Sequence, residues 1–350
     1  MTTAAQLPDR QWSRYRISLG STRTVILDTD YLLNQIRDGV REGGTLFLVG
    51  GPPLGNVRAF ASSHVLQELY KSDHLGFRNK WEKLANEAAA GEWPREPEVF
   101  EAFFVRHFLD RITFVDVTGV FEDEPSVEEV RETDAKDAPT AQLAVLLSRL
   151  RPFVYSHDIS LRRPGLAPER VQFQAVLAAG RDLESGEATV RGATYVGAAI
   201  VWGVDGATNK AAALLKVPRW VPYLVLAGSV TWLLIGRERR EKVVMVLKPV
   251  GEFILLQAEL ASSAAALLDG SVANVPEDDR LECRIAEVLA QRTKDERLLA
   301  REIQERIIQY SPSLVRPTIP EIRSVLTNPC FVEGPRYRYR LGETYIAESD

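Results

Sequence analysis

The sequence predicts an α/β fold: a parallel sheet flanked by helices, then a helical middle region, then a separate, charged C-terminal part. Three observations carry this. Up to about residue 165 short apolar runs alternate with helical patterns, which is the grammar of a parallel sheet. From about 166 to 276 the chain turns alanine-rich and helical in pattern. The remainder is charged, helical at first, and ends in the alternating stretch 336-RYRYRL-341. At 350 residues the chain also exceeds the roughly 250–300 at which single cores stop growing, so more than one module is expected.

Taken in order, residues 1–21 form an N-terminal arm, and the candidate strands are 24-TVILD-28, 57-VRAFAS-62, 112-ITFVDV-117 and 153-FVYSHD-158. Each is a near-continuous apolar run, as expected for strands covered on both faces. Helical patterns between them include 62-SSHVLQELYK-71, which Ser62 or Ser63 can cap, and 137-DAPTAQLAVLLSRL-150.

Charge and cysteine content narrow the function classes. A net charge of −5 with 26% charged residues of both signs rules out a global polycation, so a nucleic-acid partner must be held locally. Cys283 and Cys330 are too few for a disulfide framework or a thiolate metal site, and the first residues lack a hydrophobic signal core. A reducing, cytoplasmic setting is expected.

The layout gathers acids. Ligands of an open parallel sheet bind at the carboxyl ends of its strands, where Asp28 and Asp158 fall, with Asp30 close behind Asp28. Glu68 projects beside the buried face of its helix, and Asp137 stands at the N-cap of the 137–150 helix with Asp134 just before it. No run of Lys or Arg neutralises these carboxylates. Crowding them raises their pKa values unless a divalent cation sits among them, and oxygen-only ligation suits Mg²⁺ or Mn²⁺ rather than zinc. The glycine-rich 49-VGGPPLG-55 lacks the Lys-Ser/Thr of a phosphate-binding loop and reads as a turn.

This succession of motifs resembles the PIN domain, a metal-dependent nuclease fold, over residues 22–165. "VILDTD" is similar to the family's opening motif, with Asp28 as the metal-binding aspartate and Asp30 where Asn or Ser is more usual. "SSHVLQELY" matches the helix supplying the second acid, Glu68; "DAKDAPTAQLAVLL" the third motif, with Asp137 and Asp134 as helper; "FVYSHD" the fourth, ending at Asp158. The resemblance implies an endoribonuclease in which Mg²⁺ or Mn²⁺, held by Asp28, Glu68, Asp137 and Asp158, generates a hydroxide nucleophile and stabilises charge on the scissile phosphate. Arg162 and Arg163 would grip substrate phosphates. The stretch 42-EGGTLFLVGGPPLGN-56 and the acidic insert 122-EDEPSVEEVRE-132 depart from the family pattern and bear on substrate choice. A haloacid-dehalogenase-like phosphatase, whose first motif is also DxD after a strand, is the rival reading of "DTD", and it leaves Glu68 without a role.

In the middle region, 220-WVPYLVLAGSVTWLLIG-236 has a basic flank, 237-RERREK-242, like a membrane segment facing the cytoplasm. Its length is short of the about 20 residues a spanning helix needs, and a buried core helix fits as well. Either membrane association or a core role stays open, with 192-GATYVGAAIVWGV-204 as a second leg.

Residues 277–350 resemble a winged helix-turn-helix domain. Helices are expected at 279–292, at 297–310 with Leu299, Ile303 and Ile307 as an apolar stripe, and at 318–326 with Thr318 as cap and Pro320 in the first turn. A closing hairpin would put Arg336, Arg338 and Arg340 on one strand face and Tyr337 and Tyr339 on the other. Such a basic wing suits RNA or DNA phosphates, although winged domains also contact proteins. A nuclease steered by this domain leads; a DNA-binding regulator on a disabled PIN scaffold is the alternative. A homo-oligomer and an inhibitory partner stay open.

Overall fold

The computed structural model describes residues 23–42, 57–72, 76–169, 277–292 and 296–343, with Val275 and parts of the stretches 175–186 and 252–267. The N-terminal arm, the glycine-rich stretch 43–56, and the apolar segments 192–204 and 220–236 lie outside the described residues. Among the described residues no helix is long and apolar enough to cross a membrane.

Four parallel strands, β1 (Arg23–Leu27), β2 (Val57–Ser62), β3 (Ile112–Val115) and β4 (Phe153–Tyr155), form one sheet in the order β3-β2-β1-β4. The chain therefore builds outward from β1 to β3 and then returns to the other side of β1. That reversal leaves a crevice between the carboxyl ends of β1 and β4, where open sheets of this kind bind ligands.

The continuous apolar strands have the reason the sequence implied, since both faces of the sheet are covered. Alternate residues feed two separate cores. Val25, Leu27, Ala59, Ala61, Phe153 and Tyr155 face one core with helices α1 (Thr29–Glu42), α2 (Ser63–Tyr70), α3 (Lys80–Ala90) and α4 (Pro97–Phe104). Ile26, Phe60, Val115 and Val154 face the other, with α5 (Pro125–Thr133) and α6 (Ala138–Leu146). The acidic insert thus becomes α5, which buries Val127 and Val130 and leaves its acids outside. A short helix α7 (Ile159–Arg162) follows β4.

The C-terminal part contributes α8 (Leu281–Ala290), β5 (Leu298–Leu299), α9 (Ala300–Tyr310), α10 (Ile319–Val325), β6 (Phe331–Gly334) and β7 (Arg338–Leu341), with a three-stranded sheet ordered β5-β7-β6. Its apolar residues, among them Cys283, Ile285, Ile303, Ile307 and Ile322, are continuous with the core around α6. Helix α6 is consequently buried on every side, which is why its sequence is apolar all round.

Several boundaries shift. β3 stops at Val115 and β4 at Tyr155, because the residues beyond turn over the sheet's rim. Leu299 belongs to β5 and only Ile303 and Ile307 of the expected stripe are buried helical residues. Thr318 caps α10 as expected, accepting from the Glu321 backbone N–H with Pro320 in the first turn. Ser62 occupies the N-cap of α2 but makes no side-chain capping bond.

The hairpin requires a larger correction. Arg336 and Tyr337 both take left-handed backbone angles, φ 61° and 56°, so they form the turn and the strand starts only at Arg338. Arg336 therefore does not share a strand face with Arg338 and Arg340. Tyr339 is on the opposite face, buried. Beyond β7, Gly342 at φ 61° lets Glu343 pair antiparallel with Phe114 on the edge of the large sheet, through bonds of 2.8 and 2.7 Å.

Candidate metal centre

Asp28 is the residue immediately after β1, and its backbone N–H still donates to Tyr155 O at 3.2 Å, which fixes it beside β4. Ser156, the first residue past β4, donates to Asp28 Oδ2 at 2.6 Å and stands 3.4 Å from Asp158 Oδ2. Its oxygen also accepts the Asp158 backbone N–H at 3.1 Å. Asp158 is the N-cap residue of α7, and Asp137 is the N-cap residue of α6. These placements bring carboxylate oxygens of Asp28, Asp137 and Asp158 within 4.8 Å of one another. The acids come from the ends of two strands and one helix at the crevice set by the strand order.

Hydroxyls hold the triad. Thr140, in the first turn of α6, donates to Asp28 Oδ1 at 3.2 Å. Ser160, in α7, donates to Asp137 Oδ2. Asp137 makes no side-chain bond to the free amides of its own helix, so its carboxylate turns to Ser160 instead of capping.

Electrostatics match the crowding. Burial pushes the Asp28 carboxyl up to about 8, with Asp137 and Asp158 adding to the rise and the Ser156 hydrogen bond opposing it. Burial likewise pushes Asp137 up to about 6, helped by Asp158, Asp134 and Glu68 and opposed by Ser160. Metal-free, Asp28 keeps its proton at neutral pH. A divalent cation would relieve the same crowding by replacing it.

The remaining expected residues stand around this triad. Glu68 is half-buried on α2 and accepts from Thr29 Oγ1 at 2.5 Å. It lies close enough to raise Asp137 but outside the group of three. Asp30 is not a member: α1 begins at Thr29, which turns Asp30 outward into solvent. Partial burial and then Asp158 still raise its pKa. Asp134 is exposed at the C-cap of α5, where its side chain accepts from the Lys136 backbone N–H at 3.0 Å. Arg162 turns back on its own helix, Nε donating to Asp158 O at 3.3 Å, and Arg163 is exposed.

Thr29, Thr140 and Ser160 carry no pattern that a sequence reading can use. Each becomes visible only when its partner acid, 23 to 112 residues away, is placed beside it. Ser156 had a signal, being the small polar residue before Asp158.

No family model, curated protein or solved structure matches the chain.

Proposed function

We propose that the chain is a metal-dependent endonuclease of the PIN type, acting on RNA, with Asp28, Asp137 and Asp158 as cation ligands. The observation that carries this reading is the triad itself, three carboxylates converging at the switch point of a parallel sheet, with the pKa values of Asp28 and Asp137 raised. An all-oxygen donor set fits Mg²⁺ or Mn²⁺. Glu68 would complete the outer ligand set, in keeping with its place beside Asp137.

When bound, the cation supplies Lewis acidity toward an attacking water and charge neutralisation at the scissile phosphate. The chain's own residues do the rest. Ser156 and Thr140 orient the two oxygens of Asp28, and Ser160 orients Asp137, so the ligand atoms are held before a cation arrives. Arg163, exposed at the C-terminal end of α7, would contact a substrate phosphate. The order α8, β5, α9, α10, β6, β7 with β5 paired to β7 supports the winged-helix reading of the C-terminal part. Its role would be contact with nucleic acid.

The phosphatase reading needs both acids of the "DTD" stretch in the site. Asp30 is exposed and outside the triad, so that reading has less support.

The test is cleavage of a single-stranded RNA oligonucleotide by the full chain, with Mn²⁺, with EDTA, and by Asp28→Asn. Mn²⁺-dependent cleavage lost in the variant is the expected result. Turnover of small phosphoesters without RNA cleavage would transfer the site to the phosphatase class.

A further inference from the structure

Helix α6 connects two places. Its N-cap is Asp137, and its first turn carries Thr140, the partner of Asp28. Past its C-terminal end a short helical turn, Ser148–Leu150, carries Arg149. Arg149 lies about 18 Å along the axis from Asp137 at roughly 1.5 Å per residue. Its side chain is 2% exposed, and among the described residues its hydrogen-bond partners Glu287, Asp279 and Ser311 belong to the C-terminal part. Nε donates to Glu287 Oε2 at 2.8 Å, Nη1 to Asp279 Oδ1 at 2.5 Å, and Nη2 to Ser311 Oγ at 2.7 Å.

A guanidinium this deep is tolerated only while those partners stay in place. Burial alone would depress its pKa, yet Glu287 and Asp279 hold it raised. The surrounding contacts fix the same joint. Cys283 Sγ donates to Val145 O at 3.4 Å, and the Asp278 backbone N–H donates to Ser148 Oγ at 3.3 Å. Arg58 of β2 donates to Ala290 O at 3.1 Å, closing the far end of α8. Arg280 reaches Glu124 at 2.6 Å and lies over the Phe121 ring. Because α6 is buried all round, its outer face has α8 where an autonomous sheet domain would have water. The helix that presents Asp137 and Thr140 is therefore positioned from the C-terminal side.

We propose that Arg149 is a positioning residue for the carboxylate centre, an assignment that rests on the metal-site reading above. By locking the end of α6 to Glu287, Asp279 and Ser311, it sets the distance of Asp137 and Thr140 from Asp28. The C-terminal part thereby controls the site's affinity for a divalent cation, and any ligand that loosens α8 loosens the site.

The experiment uses the full chain with Arg149→Met and, as a control, Ile322→Val, which disturbs the C-terminal core but leaves the Arg149 contacts intact. Two quantities are read at a temperature where circular dichroism shows each variant folded. One is Mn²⁺ affinity by calorimetry. The other is the metal-free position of the Asp137 and Thr140 backbone amide resonances by ¹H–¹⁵N NMR. Arg149→Met should weaken Mn²⁺ binding by about tenfold or more and shift both amide resonances, while Ile322→Val leaves affinity and resonances near the parent. A folded Arg149→Met with the parent's resonances and affinity overturns the assignment, as does an equal effect of Ile322→Val. If the parent binds no Mn²⁺ but the resonances move in Arg149→Met, the metal reading fails and the coupling stands. Should Arg149→Met not fold, Glu287→Gln takes the charge out of the same contact from α8 and is read in the same two ways.

Discussion

Ser156 holds Asp28: the serine hydroxyl donates to the Asp28 carboxylate at 2.6 Å, and both residues sit at the tips of adjacent parallel strands. This bond is the main force opposing the rise of the Asp28 pKa. It favours the charged carboxylate, the form that can ligate a cation.

Ser156→Ala should therefore drive the Asp28 pKa higher and make Mn²⁺ binding weaker and more pH-dependent near neutrality. A hydrogen bond to a charged group is worth about 1.5–3 kcal/mol, so a loss of roughly tenfold or more in affinity at pH 7 is expected. Calorimetric titration across a range of pH checks this. Binding that recovers at high pH identifies a protonation effect, and an unchanged affinity would show that Ser156 does not tune the acid.

The junction between the two sheets gives a prediction about stability alone. At Gly342, φ is 61° and an added Cβ would lie 2.3 Å from the Phe114 carbonyl oxygen, whereas at Gly119, φ is 75° and nothing stands within 4 Å. Gly342→Ala should cost about 2 kcal/mol or more, through strain and loss of the Glu343 pairing, against about 1 kcal/mol for Gly119→Ala. Urea unfolding midpoints compare the two. Equal losses would mean that the strand-edge contact adds nothing.

The parallel sheet was legible in the sequence because strands covered on both faces must be continuously apolar, and the acids at 28, 137 and 158 were legible because they follow such runs or open a helix. Asp30 stays outside the group of three for a local reason: α1 starts one residue after Asp28 and puts the next acid in its first turn, exposed. Arg336 was misplaced because R-Y-R-Y-R alternates like a strand, and nothing in the sequence marks two successive non-glycine residues as left-handed. Arg149 had no signal, since its meaning comes from Glu287, 138 residues later.

In the β6–β7 hairpin the geometry separates three arginines that the sequence treats alike. Arg336 is at the exposed turn; Arg338 donates to Arg297 O at 2.9 Å and stands 3.8 Å from Glu302; Arg340 is half-buried. Arg336→Ala should weaken RNA binding and lower the magnitude of its salt slope by about 0.7–0.9, one phosphate contact. Arg340→Ala should leave the slope unchanged. Fluorescence anisotropy at several salt concentrations distinguishes them, and equal slopes in all variants would take the hairpin out of RNA binding.

The last prediction concerns pH and the triad together. Asp28 has a folded pKa of about 8 against an ordinary 3.8, and Asp137 about 6 against the same value. Below 3.8 both folded and unfolded chains carry these protons, and no stability depends on them. Between 3.8 and about 8 the folded chain keeps a proton that the unfolded chain has released. The unfolded state then binds fewer protons, so metal-free stability falls as pH rises through this window. Asp28→Asn keeps the shape and cannot ionise, which removes the largest contribution to that fall. At pH 8 the metal-free variant should be more stable than the parent by on the order of 2 kcal/mol and melt roughly a few °C higher, with a smaller difference at pH 5. Saturating Mn²⁺ should reverse the order at pH 8, since binding to the folded state alone at 100 times Kd adds about 2.7 kcal/mol to the parent and far less to Asp28→Asn. Melting curves with EDTA and with Mn²⁺ at the two pH values decide the matter. Parallel pH profiles would show that Asp28 is not the buried acid, and equal Mn²⁺ stabilisation would move the cation away from the tip of β1.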